Sequence, residues 1–292
     1  MTPEAAPGKA SAAKRSLAPR GTEERKGSRL KATFSDLAVK HEKALIAYIM
    51  AGDPSLEDTE SYVLQLADAG ADIIELGVPF SDPIADGPVI QQAAGRALRS
   101  GTTLKKILRT VTALRARTQL PLVLMTYYNT LLQYGEVAFC TDARRAGVDG
   151  VIVPDLPPDE ALSLRALALG TGLDVIFLLA PTSPAKRQAS IARLSQGFIY
   201  YVSLTGITGA KLTDKADVEK KVREIRRYSK TPIAVGFGIS TPEDARQVAN
   251  FADGVIVGSA LVKIIAANGD RAAVGERLRN FTLSLKAATR PA

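Results

Sequence analysis

The stretch ADIIELG, residues 71–77, is a short apolar run that ends on a carboxylate and a glycine. A run this short and this apolar is typical of a strand buried on both faces, as in a parallel sheet. Side chains alternate along a strand, so Glu75 shares a face with Ile73 and not with Ile74. A charge pressed against a packed helix layer costs on the order of several kcal/mol. The alternation therefore predicts that Glu75 points away from the helices.

Seven further runs of the same kind occur along the chain, and apolar residues at helical spacing separate most of them. LEDTESYVLQLADAG (56–70) ends on glycine, as a helix C-terminus commonly does. TPEDARQVANFADG (241–254) opens with Thr-Pro and two acids, which is typical of a helix N-terminus. The eight predicted strands are 44–52, 71–77, 121–127, 149–155, 173–181, 197–203, 232–238 and 253–259.

Eight strand–helix units predict an α/β fold, a closed single-domain (β/α)₈ TIM barrel over residues 31–292. An open doubly wound sheet is the alternative, but no early G-x-G-x-x-G turn supports it. Residues 1–30 are rich in Ala, Pro, Gly, Ser and charge and contain no aromatic residue. This composition predicts a disordered basic leader. An organellar transit peptide is the alternative, although three glutamates in the segment count against it.

Net charge and the counts of cysteine and histidine narrow the class of function. Seven Lys/Arg and three Glu in the leader supply half of the formal net charge of +8, and no basic stripe with aromatic residues indicates nucleic-acid binding. A modest positive balance suits a substrate that carries a phosphate. Cys140 and His41 are the single cysteine and histidine, so the sequence predicts a metal-free site in a reducing cytosol. No apolar run is long enough to span a membrane.

Barrel enzymes carry their chemistry at the C-terminal ends of the strands. Glu75 lies inside the second run, near its end, and Asp86 follows in the loop VPFSDPIADGP (78–88), which three prolines restrict. At the barrel mouth Glu75 would have a raised pKa suited to general acid–base catalysis, or it would form a structural ion pair. Asp86 would share that site or serve as a turn residue.

Three other strand ends carry polar or glycine-rich segments. GFGIS (236–240) and GVIVGSALVK (254–263) end the last two strands, where such barrels bind phosphate through backbone N–H groups. YVSLTGITGAK (201–211) is either a mobile lid or a plain surface loop. Tyr127 follows the third strand, and we expect it to line the mouth as a substrate contact.

Seven motifs together resemble the tryptophan synthase α subunit in order and spacing, over about residues 40–268. That resemblance implies a (β/α)₈ barrel that cleaves indole-3-glycerol phosphate to indole and glyceraldehyde 3-phosphate by a retro-aldol reaction, without cofactor or metal. It also implies a pyridoxal-phosphate β subunit as partner, in an α₂β₂ complex in the cytoplasm, or in a plastid if the leader is a transit peptide. The motifs are YIMAGDP (48–54), ELGVPFSDPIADGP (75–88), TYYN (126–129), VPDLP (153–157), YYVSLTGITGA (200–210), VGFGIS (235–240) and VGSALVK (257–263).

The resemblance also implies residue roles. Glu75 would transfer protons between the glycerol hydroxyl and indole C3, and Asp86 would accept a hydrogen bond from the indole N–H. Leu204 stands where many members have arginine, which removes one ion pair from lid closure. The remaining positions are Tyr48, Met125, Ile152, Tyr200 and Thr208 as substrate contacts, and Gly209, Gly238, Gly258 and Ser259 as phosphate contacts.

Three alternatives stay open at this point. The first is a stand-alone indole-3-glycerol-phosphate lyase that works without a β subunit. The second is a catalytically silent barrel kept as an allosteric subunit, against which the intact Glu75 and Asp86 argue. The third is a phosphosugar isomerase of similar barrel form, although such enzymes often need paired acids, or a cysteine and an acid, at other strand ends.

Overall fold

A computed structural model of the chain describes residues 28–202, 215–236, 238–267 and 269–291. Most of the leader and nearly all of the predicted lid lie outside these ranges. Thr208, Gly209 and Leu204 therefore also lie outside the described residues, and their predicted roles stay predictions.

The strands form one parallel sheet in the order β5-β4-β3-β2-β1-β9-β8-β7-β6. Only Phe177 separates β5 from β6, so the chain itself joins the two edges and the sheet closes almost completely into a barrel. The strands are β1 Ala44–Met50, β2 Ile73–Gly77, β3 Leu122–Met125, β4 Gly150–Ile152, β5 Asp174–Ile176, β6 Leu178–Leu179, β7 Ile199–Val202, β8 Ile233–Gly236 and β9 Gly254–Val257.

The predicted TIM barrel is confirmed, and the open doubly wound sheet is excluded. All eight predicted runs form strands, but the fifth run, 173–181, is split in two. Its first half pairs with β4 and its second half pairs with β7. Because each half turns towards a different neighbour, the regular pairing breaks at Phe177.

Helices surround the barrel, and none of those described is long and apolar enough to cross a membrane. Both helices predicted from end signals are confirmed: Ser55 caps α2, and Thr241 forms a capping box with Asp244 at α10. The helices are α1 Arg29–Val39, α2 Leu56–Asp68, α3 Pro88–Arg99, α4 Leu104–Arg115, α5 Tyr128–Tyr134, α6 Glu136–Ala146, α7 Leu162–Thr171, α8 Ala185–Leu194, α9 Lys215–Arg226, α10 Pro242–Ala249, α11 Ser259–Ala266 and α12 Arg271–Ala288.

The core has two layers, because alternate strand residues face opposite ways. The outer layer packs the strands against the helices and includes Ile74 and Leu76. The inner layer fills the barrel, with Ile73 and Val123 among its residues, and α1 closes its lower end with apolar side chains. The inner layer is thus apolar at the bottom, and polar side chains enter it only towards the strands' C-terminal ends.

The leader ends earlier than the sequence predicts. Leu30 is fully buried in the inner layer, and the Arg29 guanidinium lies 2.9 Å from the Asp149 carboxylate. The Ser28 hydroxyl donates a hydrogen bond of 2.5 Å to Asp174. Residues 28–30 therefore belong to the barrel. Composition did not indicate this, because residues 28–30 resemble the polar segment before them. The apolar helical face that begins at Leu30 continues only at Phe34.

Two truncations separate leader from barrel. Removing residues 1–27 is expected to leave the melting temperature unchanged, whereas removing 1–30 also deletes Leu30, whose buried side chain is worth about 2–5 kcal/mol. Thermal unfolding of both truncated chains beside the full chain is the measurement. A drop of more than a few degrees for the shorter truncation would show that the leader itself docks on the barrel.

Candidate active site

Glu75 lies in the centre of β2, paired with Tyr48 on β1 and Val123 on β3. Its side chain is fully buried, and neither carboxylate oxygen has a hydrogen-bond partner among the described residues. Burial raises the pKa of Glu75 to about 8. No cation among the described residues pairs with it, so these residues do not form the structural ion pair considered for Glu75. A buried acid without a partner among the described residues is typical of a ligand-binding or catalytic site.

Asp86 lies in the loop between β2 and α3 and is partly buried. Burial raises its pKa to about 6, although a hydrogen bond with the Tyr127 hydroxyl pulls the pKa the other way. The same hydroxyl accepts a hydrogen bond of 2.9 Å from the Ala85 N–H, and the Tyr127 ring stacks on Phe80 at 5.1 Å. Tyr127 therefore holds the loop that carries Asp86. Asp82, in contrast, is exposed.

Two further tyrosines join the carboxylates at the mouth. Tyr48 and Tyr200 expose only 6% and 5% of their surface. Burial raises the pKa of both phenols, and the charges of Glu75 and Asp86 raise it further in each case. Because the charges of both carboxylates raise the pKa of both phenols, all four groups lie close together around one space. The structure thus brings together four of the predicted site residues.

The apolar candidates lie beside this group. Met125 ends β3 and is partly exposed, and it packs both against the inner layer and against a small apolar cluster that contains Tyr48 and Met50. Ile152 ends β4 opposite Met125 and is fully buried in the inner layer. Met125 therefore faces the open mouth, whereas Ile152 forms part of its floor.

The predicted phosphate contacts lie at the ends of two neighbouring strands. Gly238 follows β8 with a φ of 77°, a conformation that favours glycine. Gly258 follows β9 and is the N-cap residue of α11, and Ser259 is the first helical residue. No side chain caps this helix, whereas Ser55 and Thr241 cap α2 and α10. The first N–H groups of α11 are therefore available to an anion.

Comparison with known proteins decides the family. The model of the family described as tryptophan synthase alpha chain matches residues 34–290. The chain belongs to the tryptophan synthase alpha chain family. It is 53% identical to the alpha chain of Geotalea uraniireducens over 90% of this chain and 98% of that protein. It is 52% identical to the alpha chain of Geobacter sulfurreducens over 89% and 98% of the two chains.

Solved structures agree with this family membership. A tryptophan synthase structure from Mycobacterium tuberculosis superposes with a TM-score of 0.84 at 38% identity, covering 91% of this chain and 100% of the other. The tryptophan synthase subunit alpha of Legionella pneumophila gives a TM-score of 0.83 at 39% identity, covering 90% and 98%. As a member of the family, the chain is a lyase of tryptophan biosynthesis that catalyses the alpha reaction, the cleavage of indole-3-glycerol phosphate.

Sequence reasoning missed two contacts that shape this alpha-chain mouth. The first is the hold of Tyr127 on the Asp86 loop. The second is a bidentate ion pair at 2.7 Å between Arg96 on α3 and Asp53, which is 2% exposed in the loop after β1. The acid in YIMAGDP was a usable signal, since an aspartate so near a strand end is either solvated or paired. Its partner, Arg96, is 43 positions away, and nothing in the sequence around Arg96 indicates this pairing.

Tyr127→Phe tests whether the Tyr127 hydroxyl fixes the position of the loop that carries Asp86. Loss of both hydrogen bonds of the Tyr127 hydroxyl, with Asp86 and from the Ala85 N–H, is expected to lower kcat/KM for indole release about tenfold. Because the hydrogen bond with Asp86 lowers the pKa of that carboxyl, its loss moves the acid limb of the pH profile to higher pH. Tyr128→Phe is the control, since the Tyr128 hydroxyl donates to Glu136 instead. Superimposable pH profiles for Tyr127→Phe and the unaltered chain would contradict this role.

Proposed function

We propose that Glu75 and Asp86 carry the alpha reaction in this chain. The observation behind the proposal is a fully buried carboxyl at the mouth without a partner among the described residues, with its pKa raised to about 8. An acid with such a pKa gives up and regains a proton easily near neutral pH. The fold alone supports many chemistries, so the proposal rests on this group and its neighbours.

The substrate has an indole ring, a glycerol chain and a phosphate, and the mouth offers a partner for each. The uncapped N-terminus of α11, with Gly258 and Ser259, receives the phosphate, and Gly238 borders it at the end of β8. Asp86 accepts a hydrogen bond from the indole N–H. Met125 and the Tyr48 and Tyr200 rings contact the apolar faces. This arrangement sets the bond between ring and chain beside Glu75.

Glu75 acts twice in this scheme. Its protonated carboxyl, the prevailing form near neutral pH, gives a proton to indole C3, and a C–H bond forms there. The resulting carboxylate then takes the proton of the hydroxyl on the carbon attached to the ring. The O–H electrons form the aldehyde, the carbon–carbon bond breaks, and its electrons restore the indole. Asp86 stabilises the positive charge that the ring carries between the two steps.

The test of the proposed function is indole released from indole-3-glycerol phosphate by the purified chain, followed over time together with glyceraldehyde 3-phosphate. Equal amounts of the two products are expected. Release without metal or cofactor added is also expected. Absence of release, with and without a β subunit, would favour the silent barrel. Isomerisation of a phosphosugar with no indole formed would favour the third alternative.

We also propose that the partner is a tryptophan synthase β subunit that docks beside the Asp86 loop. A groove of about 500 Å³ lies there, and residues 78–82 of the loop form one wall of it. Leu98 lines this groove and is 39% exposed, and two apolar side chains within two residues of lining positions are more exposed, Ile84 at 86% and Leu132 at 54%. Exposed apolar surface of this kind is typical of a protein interface. A partner bound there would act directly on the position of Asp86.

Partner activation follows from this position. A β subunit that binds the assembled mouth more tightly than the open one shifts that population, and each 1.4 kcal/mol of difference is worth about tenfold. Turnover is therefore expected to rise at least about tenfold when cognate β subunit saturates the chain.

Leu98→Asp should weaken this activation while leaving the isolated chain's rate unchanged. Leu283→Asp is the matched control, because Leu283 is 41% exposed on α12 and Leu98 is 39% exposed. Equal rates for the chain alone and in its saturated complex would favour the stand-alone lyase instead.

A cytoplasmic location is part of the same proposal. Its support is the free, buried thiol of Cys140 and the bacterial source of the alpha chains compared above. A plastid location would require residues 1–30 to act as a transit peptide. Expression of the full chain with a C-terminal fluorescent tag in a plant cell would distinguish the two, since import would send the tag into plastids.

A further inference from the structure

Tyr48 lies where a bound substrate must cross the barrel mouth. The sheet order places β1 between β2, which leads to the Asp86 loop, and β9, which leads to the α11 N-terminus. A molecule with its ring near Asp86 and its phosphate at Gly258 therefore passes over the end of β1 with its middle portion. Tyr48 is the side chain that β1 directs inward at that level, as the cross-strand partner of Glu75.

The contacts of Tyr48 fix the direction of its ring. A Cβ added to Gly77 would lie 2.2 Å from the Tyr48 hydroxyl oxygen, so the hydroxyl rests directly over that glycine. A Cβ added to Gly258 would lie 3.4 Å from the ring's Cδ1. The side chain thus reaches from the phosphate side of the mouth to the Glu75 side. Gly77 is needed, because any larger residue there would push this ring aside, whereas a Cβ at Gly258 would only reach van der Waals contact with it.

The contacts of the Tyr48 ring do not explain why this residue carries a hydroxyl. Among the described residues nothing forms a hydrogen bond with it, and unlike the Glu75 oxygens it is not among the fully buried atoms without a partner, so it faces the open space of the mouth. A hydroxyl that faces a ligand site without a partner in the described protein is free to form a hydrogen bond with the ligand. Packing against the indole would require only the ring and leaves the oxygen unexplained.

We propose that the Tyr48 hydroxyl is a specificity-determining group that hydrogen-bonds the hydroxyl on the middle carbon of the substrate's glycerol chain. The inference rests on the proposed function. In that scheme Glu75 takes the hydroxyl next to the ring and Gly258 takes the phosphate, which leaves the middle hydroxyl without a partner. A phenol both donates and accepts, so it can accept from this hydroxyl while donating to the Glu75 carboxylate in the second step.

The experiment combines Tyr48→Phe with a 2-deoxy substrate, in which the middle hydroxyl is replaced by hydrogen. This analogue keeps the hydroxyl next to the ring and can still be cleaved to indole. On the natural substrate, Tyr48→Phe is expected to lower kcat/KM about fivefold to tenfold. On the 2-deoxy substrate the two enzymes are expected to agree within twofold, because the partner group is already missing.

Tyr201→Phe is the matched control, since Tyr201 is fully buried and its hydroxyl has no partner among the described residues, but it belongs to the outer layer. It should cleave both substrates at the unaltered rate. Binding of indole-3-propanol phosphate, which lacks both hydroxyls, should be equal in all three proteins and shows that the mouth is intact. An equal loss on both substrates, or no loss on either, would overturn the inference. If the unaltered chain releases no indole, the proposed function fails instead.

Discussion

Glu75→Gln is expected to lower the rate of indole release by roughly 10²–10⁴-fold while the chain stays folded and binds its substrate. Glutamine has nearly the same shape as the protonated acid, and the native carboxyl is mostly protonated near neutral pH, since its pKa is about 8. The variant therefore keeps the neutral character of this position. It loses the only property that the mechanism requires, a proton that can leave and return.

The measurement is single-turnover release of indole at saturating substrate, together with titration of indole-3-propanol phosphate to follow binding. Glu60→Gln is the control, because Glu60 forms only a surface ion pair of 3.4 Å with Arg117. Its rate should equal that of the unaltered chain. Glu75→Gln activity within a few-fold of the unaltered chain would remove Glu75 from the mechanism, and loss of binding with loss of activity would indicate a structural role.

Local sequence predicted the barrel because each strand and helix carries its own signal. The apolar runs marked eight strands, and the alternation in ADIIELG placed Glu75 inward, as the structure shows. Gly70 indicated the end of one helix and Thr241 the start of another, and both are short-range signals that sequence displays directly. The inner layer needed no further information, since parallel strands of this pattern have few other ways to bury both faces.

Contacts between distant parts of the chain were not predictable in the same way. The Asp86 loop is fixed by Tyr127, whose hydroxyl bonds Ala85, 42 positions earlier in the chain. Composition assigned residues 28–30 to the leader, although Leu30 is buried beneath the strands. The unpartnered state of Glu75 also depends on every neighbour at once. Such features follow from the assembled barrel, and no short window of sequence contains them.

The second large effect concerns stability, because the raised pKa of Glu75 is also a statement about folding. Its pKa lies near 4.5 when exposed and rises to about 8 in the folded chain. Between these two pH values the unfolded state releases a proton that the folded state keeps. The stability contributed by the protonated acid is therefore fully present below pH 4.5 and is lost as the pH rises to about 8. The loss is on the order of 5 kcal/mol, at about 1.4 kcal/mol per pKa unit.

Glu75→Gln removes this proton linkage and should make the chain more stable at high pH. The two proteins are expected to melt together near pH 4, and by pH 8 the variant should melt about 10 °C higher. Asp86, whose pKa is also raised, is present in both proteins and cancels in the difference. Melting curves of both between pH 4 and pH 9 are the measurement. A constant difference across this range would mean that folding leaves the pKa of Glu75 near 4.5, so that the carboxyl of the folded chain is ionised at neutral pH. The first step of the mechanism would then lack its proton. A difference in melting temperature that grows with pH and levels off near pH 8 would instead show that one buried acid accounts for both the lost activity and the gained stability.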